Sequence, residues 1–146
     1  MENSQVEILL VEDDMDDAEM TIHAMQKYNL ANKLTHMVDG EEALDFLFGT
    51  GKFIGRDTSL KPRLILLDLK MPKVDGMEVL ERVKSNDATK KIPVVILTSS
   101  KEDPDVSRCY ELGANGYIVK PVEFDGFIKA VSELGMYWML LNHAPV

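Results

Sequence analysis

The chain has 146 residues, about the length of one domain, and its 45% hydrophobic content can fill a single core of ordinary size. A formal charge of −9 argues against a surface that grips nucleic acid or anionic lipid, which needs clustered Lys and Arg. One cysteine, Cys109, excludes an internal disulfide and a multi-cysteine zinc site, and reads as a small buried hydrophobe near a helix.

In chain order, "MENSQVEILLVEDD" has no basic stretch followed by an apolar one. No later run approaches the ~18 apolar residues of a membrane span, so the expected compartment is the cytoplasm. A first strand, "VEILLV" (6 to 11), runs into Glu12, Asp13 and Asp14. "DDAEMTIHAMQKYNL" then shows apolar residues at three- and four-residue spacing and predicts a helix, with Asp16, Asp17 and Glu19 extending its acidic face. "KLTHMV" (33 to 38) is the second strand and "EEALDFLF" the second helix. The segment 49 to 62, "GTGKFIGRDTSLKP", holds three of the nine glycines and reads as a loop. Its "GTGK" misses the G-x-x-x-x-G-K-[ST] spacing and follows a helix instead of a strand, so it is not read as a phosphate loop.

"RLILLD" (63 to 68) is a third strand that ends in Asp68, and "DGMEVLERVKS" is the helix after it. "IPVVILT" (92 to 98) ends in Thr98, Ser99 and Ser100; "PDVSRCYELG" is helical; "GYIV" (116 to 119) ends in Lys120 before Pro121; a last helix starts near Glu123. Strands alternating with helices predict a parallel sheet covered on both faces. The near-continuous apolar character of strands one, three and four agrees. Without repeats, low-complexity tracts or a flexible linker, residues 1–146 are expected to form one domain. In the final helix Phe127, Val131, Leu134, Trp138 and Leu141 make one apolar stripe. Met136, Tyr137, Met139 and Leu140 are then surplus, the composition of an interface centre, and predict a homodimer; the alternative is that the extension bends at Gly135 and folds back over its own domain.

Ligands of an open parallel sheet sit outside the carboxyl ends of its strands, so the residues that end each strand matter most. Singly, the acidic trio reads as a helix cap, Asp68 as turn chemistry, Thr98 as a cap and Lys120 as a solvated charge. Together at one sheet edge they mean more. Gathered carboxylates repel unless a cation neutralises them, and an oxygen-only set suits Mg²⁺. A lysine and a hydroxyl beside them are what a phosphoryl group needs.

"ILLVEDD", "LILLDLKMP" with "VDG", "VVILTSS" and "GYIVKP", in this order and spacing, closely resemble the receiver domain of two-component response regulators over residues 6 to about 134. The resemblance implies a flavodoxin-like, doubly wound five-stranded sheet of order 2-1-3-4-5. It implies phosphoryl transfer from a sensor histidine kinase to Asp68, with Mg²⁺ held by Glu12, Asp13, Asp68 and the Lys70 backbone carbonyl. Lys120 then senses the phosphate, Thr98 is the switch hydroxyl and Tyr117 the switch aromatic. The pair Glu12-Asp13 stands where Asp-Asp is commonest, and Lys70 is a long cation placed to shield the acyl phosphate from water.

The chain ends about where a receiver ends, so no output domain is expected. Signalling then runs through altered binding to a protein target, with dimerisation through the fourth helix, fifth strand and fifth helix. The 49 to 62 loop and "VSELGMYWMLLN" resemble the stand-alone receivers that serve bacterial phytochromes. His23, His36 and His143 have no metal-ligand spacing and read as packing or surface residues. Two other readings stand beside this one: an adaptor of the same fold that works without phosphorylation, and a haloacid dehalogenase-type phosphatase. The second needs an aspartate two residues after the nucleophile, where Lys70 stands. The receiver reading makes the chain a signalling protein that takes part in its own phosphotransfer, not an enzyme.

Overall fold

The apolar runs become buried strands because their Leu, Ile and Val side chains have partners above and below the sheet. A computed structural model of the chain describes residues 8–27, 34–71, 73–99 and 104–133. In chain order the elements are β1 (Ile8–Val11), α1 (Met15–Lys27), β2 (Leu34–Met37), α2 (Gly40–Phe48), a 3₁₀ turn (Gly51–Phe53), β3 (Leu64–Asp68), α3 (Gly76–Ser85), β4 (Val94–Thr98), α4 (Pro104–Glu111), β5 (Gly116–Val119) and α5 (Phe124–Glu133). The five strands are parallel in the order β2-β1-β3-β4-β5, as expected. Every residue of β1, β3 and β4 is buried.

Alternation along the strands divides the core in two. Ile8, Leu10, Leu64, Leu66, Val95, Leu97 and Ile118 meet Ala18 and Met25 of α1 and Phe127 and Ala130 of α5. Leu9, Val11, Ile65, Leu67, Val94 and Ile96 meet Leu44 and Leu47 of α2, Val79 and Leu80 of α3, and Cys109 of α4. Cys109 is fully buried, as its sequence context suggested. Of the predicted stripe on the last helix, Phe127 is buried, while Leu134, Trp138 and Leu141 lie outside the described residues, as do Met136, Tyr137, Met139 and Leu140.

The 49–62 loop is anchored. Gly49 ends α2 in the left-handed conformation (φ 67°), which glycine adopts without a Cβ penalty. The chain then folds back so that Phe53 meets the Phe46 ring edge-on at 5.3 Å. The Arg56 guanidinium lies 3.8 Å from the centroid of the same ring and donates to the carbonyls of Phe46 (3.0 Å) and Leu60 (2.6 Å). Among the described residues no helix is long and apolar enough to cross a membrane.

Candidate functional site

The parity that sorts the core also sorts the polar strand ends. Glu12 continues the alternation of Ile8 and Leu10, Asp68 that of Leu64 and Leu66, and Lys120 follows Ile118, so all three belong to the face of α1 and α5. The β1–β3 register sets Val11 opposite Leu67, which brings Glu12 level with Asp68. Thr98 shares the parity of Val94 and Ile96 and belongs to the other face. One cleft of about 240 Å³ at the carboxyl edge is lined by Glu12, Asp13, Asp14, Asp17, Asp68, Lys70, Thr98, Ser99 and Lys120, with Leu69 and Leu97.

Lys120 is the electrostatic hub of the cleft. Its Nζ lies 2.8 Å from Glu12 Oε1, 3.1 Å from Asp17 Oδ2 and 3.4 Å from Asp68 Oδ2. Burial disfavours the ammonium, but Glu12, Asp68 and Asp17 outweigh it and raise the lysine's pKa above its ordinary value. The Lys120 backbone N–H donates to the Thr98 carbonyl at 2.8 Å, and the Lys120–Pro121 peptide is cis. Asp17 was absent from the expected set. It lies in the first turn of α1, where the sequence shows only one more acid on the helix's negative face.

Four acids face this one cation, and the carboxyl groups respond. Burial pushes Glu12 up to about 7; the adjacent Lys120 ammonium opposes that, and nearby Asp68 adds to it. Asp13 is raised too, by burial first, opposed by its own backbone amide and reinforced by Asp68. Glu12 Oε2 accepts from the Asp14 amide at 3.2 Å. Oε1, although 2.8 Å from the ammonium, makes no hydrogen bond, a buried acceptor left unsatisfied.

Carboxylate oxygens of Glu12, Asp13 and Asp68 lie within 4.8 Å of one another, and Asp13 is the most exposed of the three. An oxygen-only donor set with surplus negative charge, an unsatisfied acceptor and an open cleft fits a hard divalent cation that keeps several waters. Asp14 does something else: its Oδ1 accepts from the Asp17 amide at 3.0 Å and caps α1.

Asp68 is 6% exposed. Its Oδ1 faces the Lys70 amide at 3.4 Å. Behind it α3 presses directly on the backbone, for a Cβ on Gly76 would fall 2.2 Å from the Asp68 carbonyl oxygen and 2.6 Å from Leu69 Cα. Thr98 is buried at the cleft wall. Tyr117 is not in the cleft. It is half-exposed on β5, with its ring edge-on to Tyr110 at 6.4 Å, beside a groove of about 540 Å³ between α4, β5 and α5. Ser100 lies outside the described residues.

Residues 8–132 match the response regulator receiver domain. The structure of the bacteriophytochrome response regulator AtBRR is similar with a TM-score of 0.85 at 51% identity, covering 97% of this chain and 100% of that one. A probable methanogenesis regulatory protein, FilR2 of Methanothrix harundinacea, is 38% identical over 141 residues, 94% of this chain and 86% of the relative. Response regulator Rcp1 of Synechocystis sp. is 38% identical over 132 residues, 90% and 88% of the two chains. The crystal structure of its Mn²⁺-bound form has a TM-score of 0.73 at 36% identity, covering 95% and 98%. With the family matched over nearly the whole sheet and the acidic cleft at its carboxyl edge, the chain belongs to the response regulator receiver domains.

Proposed function

We propose that Asp68 is the phosphoacceptor and that a sensor histidine kinase supplies the phosphoryl group. The observation that carries this is the placement of the Asp68 carboxylate inside the acidic cleft, where it shares Lys120 with Glu12. Asp68 attacks phosphorus, the P–N bond of the kinase phosphohistidine breaks, and its electron pair returns to the imidazole. The product is an acyl phosphate. Alignment and charge neutralisation carry most of such a transfer.

Glu12, Asp13, Asp68 and the Lys70 backbone carbonyl are the residues to hold Mg²⁺, whose bound charge would offset that of the phosphoryl oxygens. The Mn²⁺-bound form of Rcp1 supports a divalent site of this kind. Lys120 holds Asp68 before transfer and a phosphoryl oxygen after it. Thr98 donates to another oxygen, and its displacement is felt by Tyr117, since Thr98 pairs with Val119 and Ile96 with Tyr117 on adjacent strands. A local charge event thereby re-shapes the α4–β5–α5 face.

The similarity to AtBRR supports a phytochrome-type kinase as the partner. The exposed Tyr110, Tyr117 and Val119 beside the α4–β5–α5 groove support homodimerisation there, or a protein target on the same face. In this reading the chain is a cytoplasmic signalling protein, not an enzyme. Sedimentation of the wild type against a Tyr137→Asp, Leu140→Asp double variant tests the dimer. A wild type monomeric at high micromolar concentration, with and without phosphodonor, removes it.

Incubation with a small phosphodonor and Mg²⁺, followed by mass spectrometry, tests the acceptor. The wild type gains one phosphoryl group on Asp68 and Asp68→Asn gains none. The variant keeps its fold at equal or slightly higher stability, because the amide relieves carboxylate repulsion. Normal phosphorylation of the variant would remove Asp68 from the mechanism.

A further inference from the structure

We infer that His36 is a positioning residue for the acidic cleft, its imidazole holding the Glu12 carbonyl at the point where the edge strand leaves the sheet. The ladder between β1 and β2 stops there: the Glu12 amide donates to the Met37 carbonyl at 3.0 Å, and β2 ends at that residue. Past Met37 the chain turns into α2: the Val38 amide donates to Glu42 Oε1 at 2.9 Å, and the Asp39 side chain accepts from the Glu42 amide to start the helix. The carbonyl of Glu12 is met instead by His36 Nε2, at 2.7 Å. A carbonyl can only accept, so Nε2 carries the hydrogen.

His36 can reach this carbonyl because β2 is the sheet edge and His36 has the parity of Leu34, the face of Glu12. The peptide plane it grips contains the Glu12 carbonyl and the Asp13 amide, so it fixes the direction in which Asp13 leaves the backbone. Two neighbouring carboxyl groups that repel each other need such a restraint. The turn is then fastened at the Glu12 amide, the Glu12 carbonyl and the Asp14 amide, the last by Glu12 Oε2. Glu42, paired with Lys52 of the 49–62 loop, stands beside the imidazole. Burial raises the Glu42 carboxyl, but Lys52, the Val38 amide and His36 outweigh it and lower its pKa. From the residues alone His36 reads as a packing or surface side chain, because the bond joins it to a backbone atom twenty-four residues away.

The inference rests on the proposed Mg²⁺ site and is tested so that the two can fail separately. His36→Leu removes the donor, and His36→Gln places an amide nitrogen where Nε2 stood. Mg²⁺ affinity is measured by calorimetry, and the Glu12 carbonyl and Asp13 amide resonances are measured in metal-free protein, both on the full chain. His36→Leu is expected to weaken Mg²⁺ about tenfold, the low end for outer partners of metal ligands, and to shift both resonances. His36→Gln is expected to restore both readouts. A folded Leu variant with wild-type affinity and unshifted resonances would overturn the inference, as would a folded Gln variant no better than Leu. If the wild type itself binds no Mg²⁺, the metal site fails, and the two resonances alone decide the role of His36.

Discussion

The Lys120 ammonium sits closer to Glu12 than to Asp68, 2.8 Å against 3.4 Å. The lysine thus holds down the most deeply buried acid of the cleft and touches Asp68 more loosely. Glu12 still titrates near 7, against 4.5 for an ordinary glutamate. Between those values the folded chain binds more protons than the unfolded chain. The stability this contributes is full below 4.5 and is lost as pH rises to about 7. Asp13, also raised, adds in the same direction. Stability of the metal-free wild type is therefore expected to fall from about pH 5 to about pH 8, and Glu12→Gln to flatten the fall. Mg²⁺ affinity of the wild type should rise over the same range, with proton release in calorimetry. Parallel stability profiles for wild type and variant would show that Glu12 does not titrate in this window.

Asp13 and Asp14 are neighbours with opposite expected phenotypes. Asp13→Ala should weaken Mg²⁺ binding and phosphorylation together and leave stability level or higher, since one repelling carboxylate is gone. Asp14→Ala should leave Mg²⁺ affinity alone and cost about 1 kcal/mol, the usual loss for removing a helix cap. Calorimetry and urea unfolding of the two variants separate the roles. Equal losses of Mg²⁺ affinity would mean that the acidic turn has been assigned one residue out of place.

The sheet was legible because β1, β3 and β4 are continuous apolar runs that, like β5, end in polar residues at one edge. Glu12, Asp68, Thr98 and Lys120 could be picked out as strand ends without knowing any contact. Asp17 could not, because its pairing with Lys120 spans 103 residues and depends on where α1 lies. In one sequence it reads as another acid on a solvated helix face. The 49–62 loop was legible as irregular from its glycines, but the stacking of Phe53 and Arg56 on Phe46 follows no spacing rule. Among the described residues, the helix-capping side chains of Asp14, Asp39 and Asp75 stand where capping residues are expected.

Gly76 is expected to be intolerant of any side chain. A Cβ there meets backbone of Asp68 and Leu69, which has no rotamer to yield, so α3 must move away or Asp68 must shift. Gly76→Ala should lose about 1–3 kcal/mol, as overpacking does, and slow phosphorylation by misplacing the carboxylate. Gly126, inside α5, is the control: its added Cβ has only Ile118 Cγ2 at 3.9 Å. Gly126→Ala should gain about 0.5–1 kcal/mol from helix propensity alone. Urea unfolding and phosphorylation rates of both variants test this; a Gly76→Ala protein as stable and as reactive as wild type would refute the close approach.

The last prediction concerns Arg56, which ties the 49–62 loop to the end of α2. Its guanidinium lies on the Phe46 ring while donating to two carbonyls, Phe46 and Leu60. Arg56→Ala removes the ring contact and leaves both carbonyls short of a donor, an expected loss of about 2 kcal/mol. Arg56→Lys keeps the charge, but a single ammonium cannot lie flat on the ring and span both carbonyls, so it should recover less than half of that. Neither change should alter Mg²⁺ affinity, because α2 begins at the carboxyl edge near the cleft and Arg56 bonds to its far end. Thermal unfolding with calorimetry on the two variants checks this. Full recovery by lysine would mean that charge, not the planar fork, anchors the loop; loss of Mg²⁺ affinity in Arg56→Ala would mean that the loop and the cleft are coupled through α2.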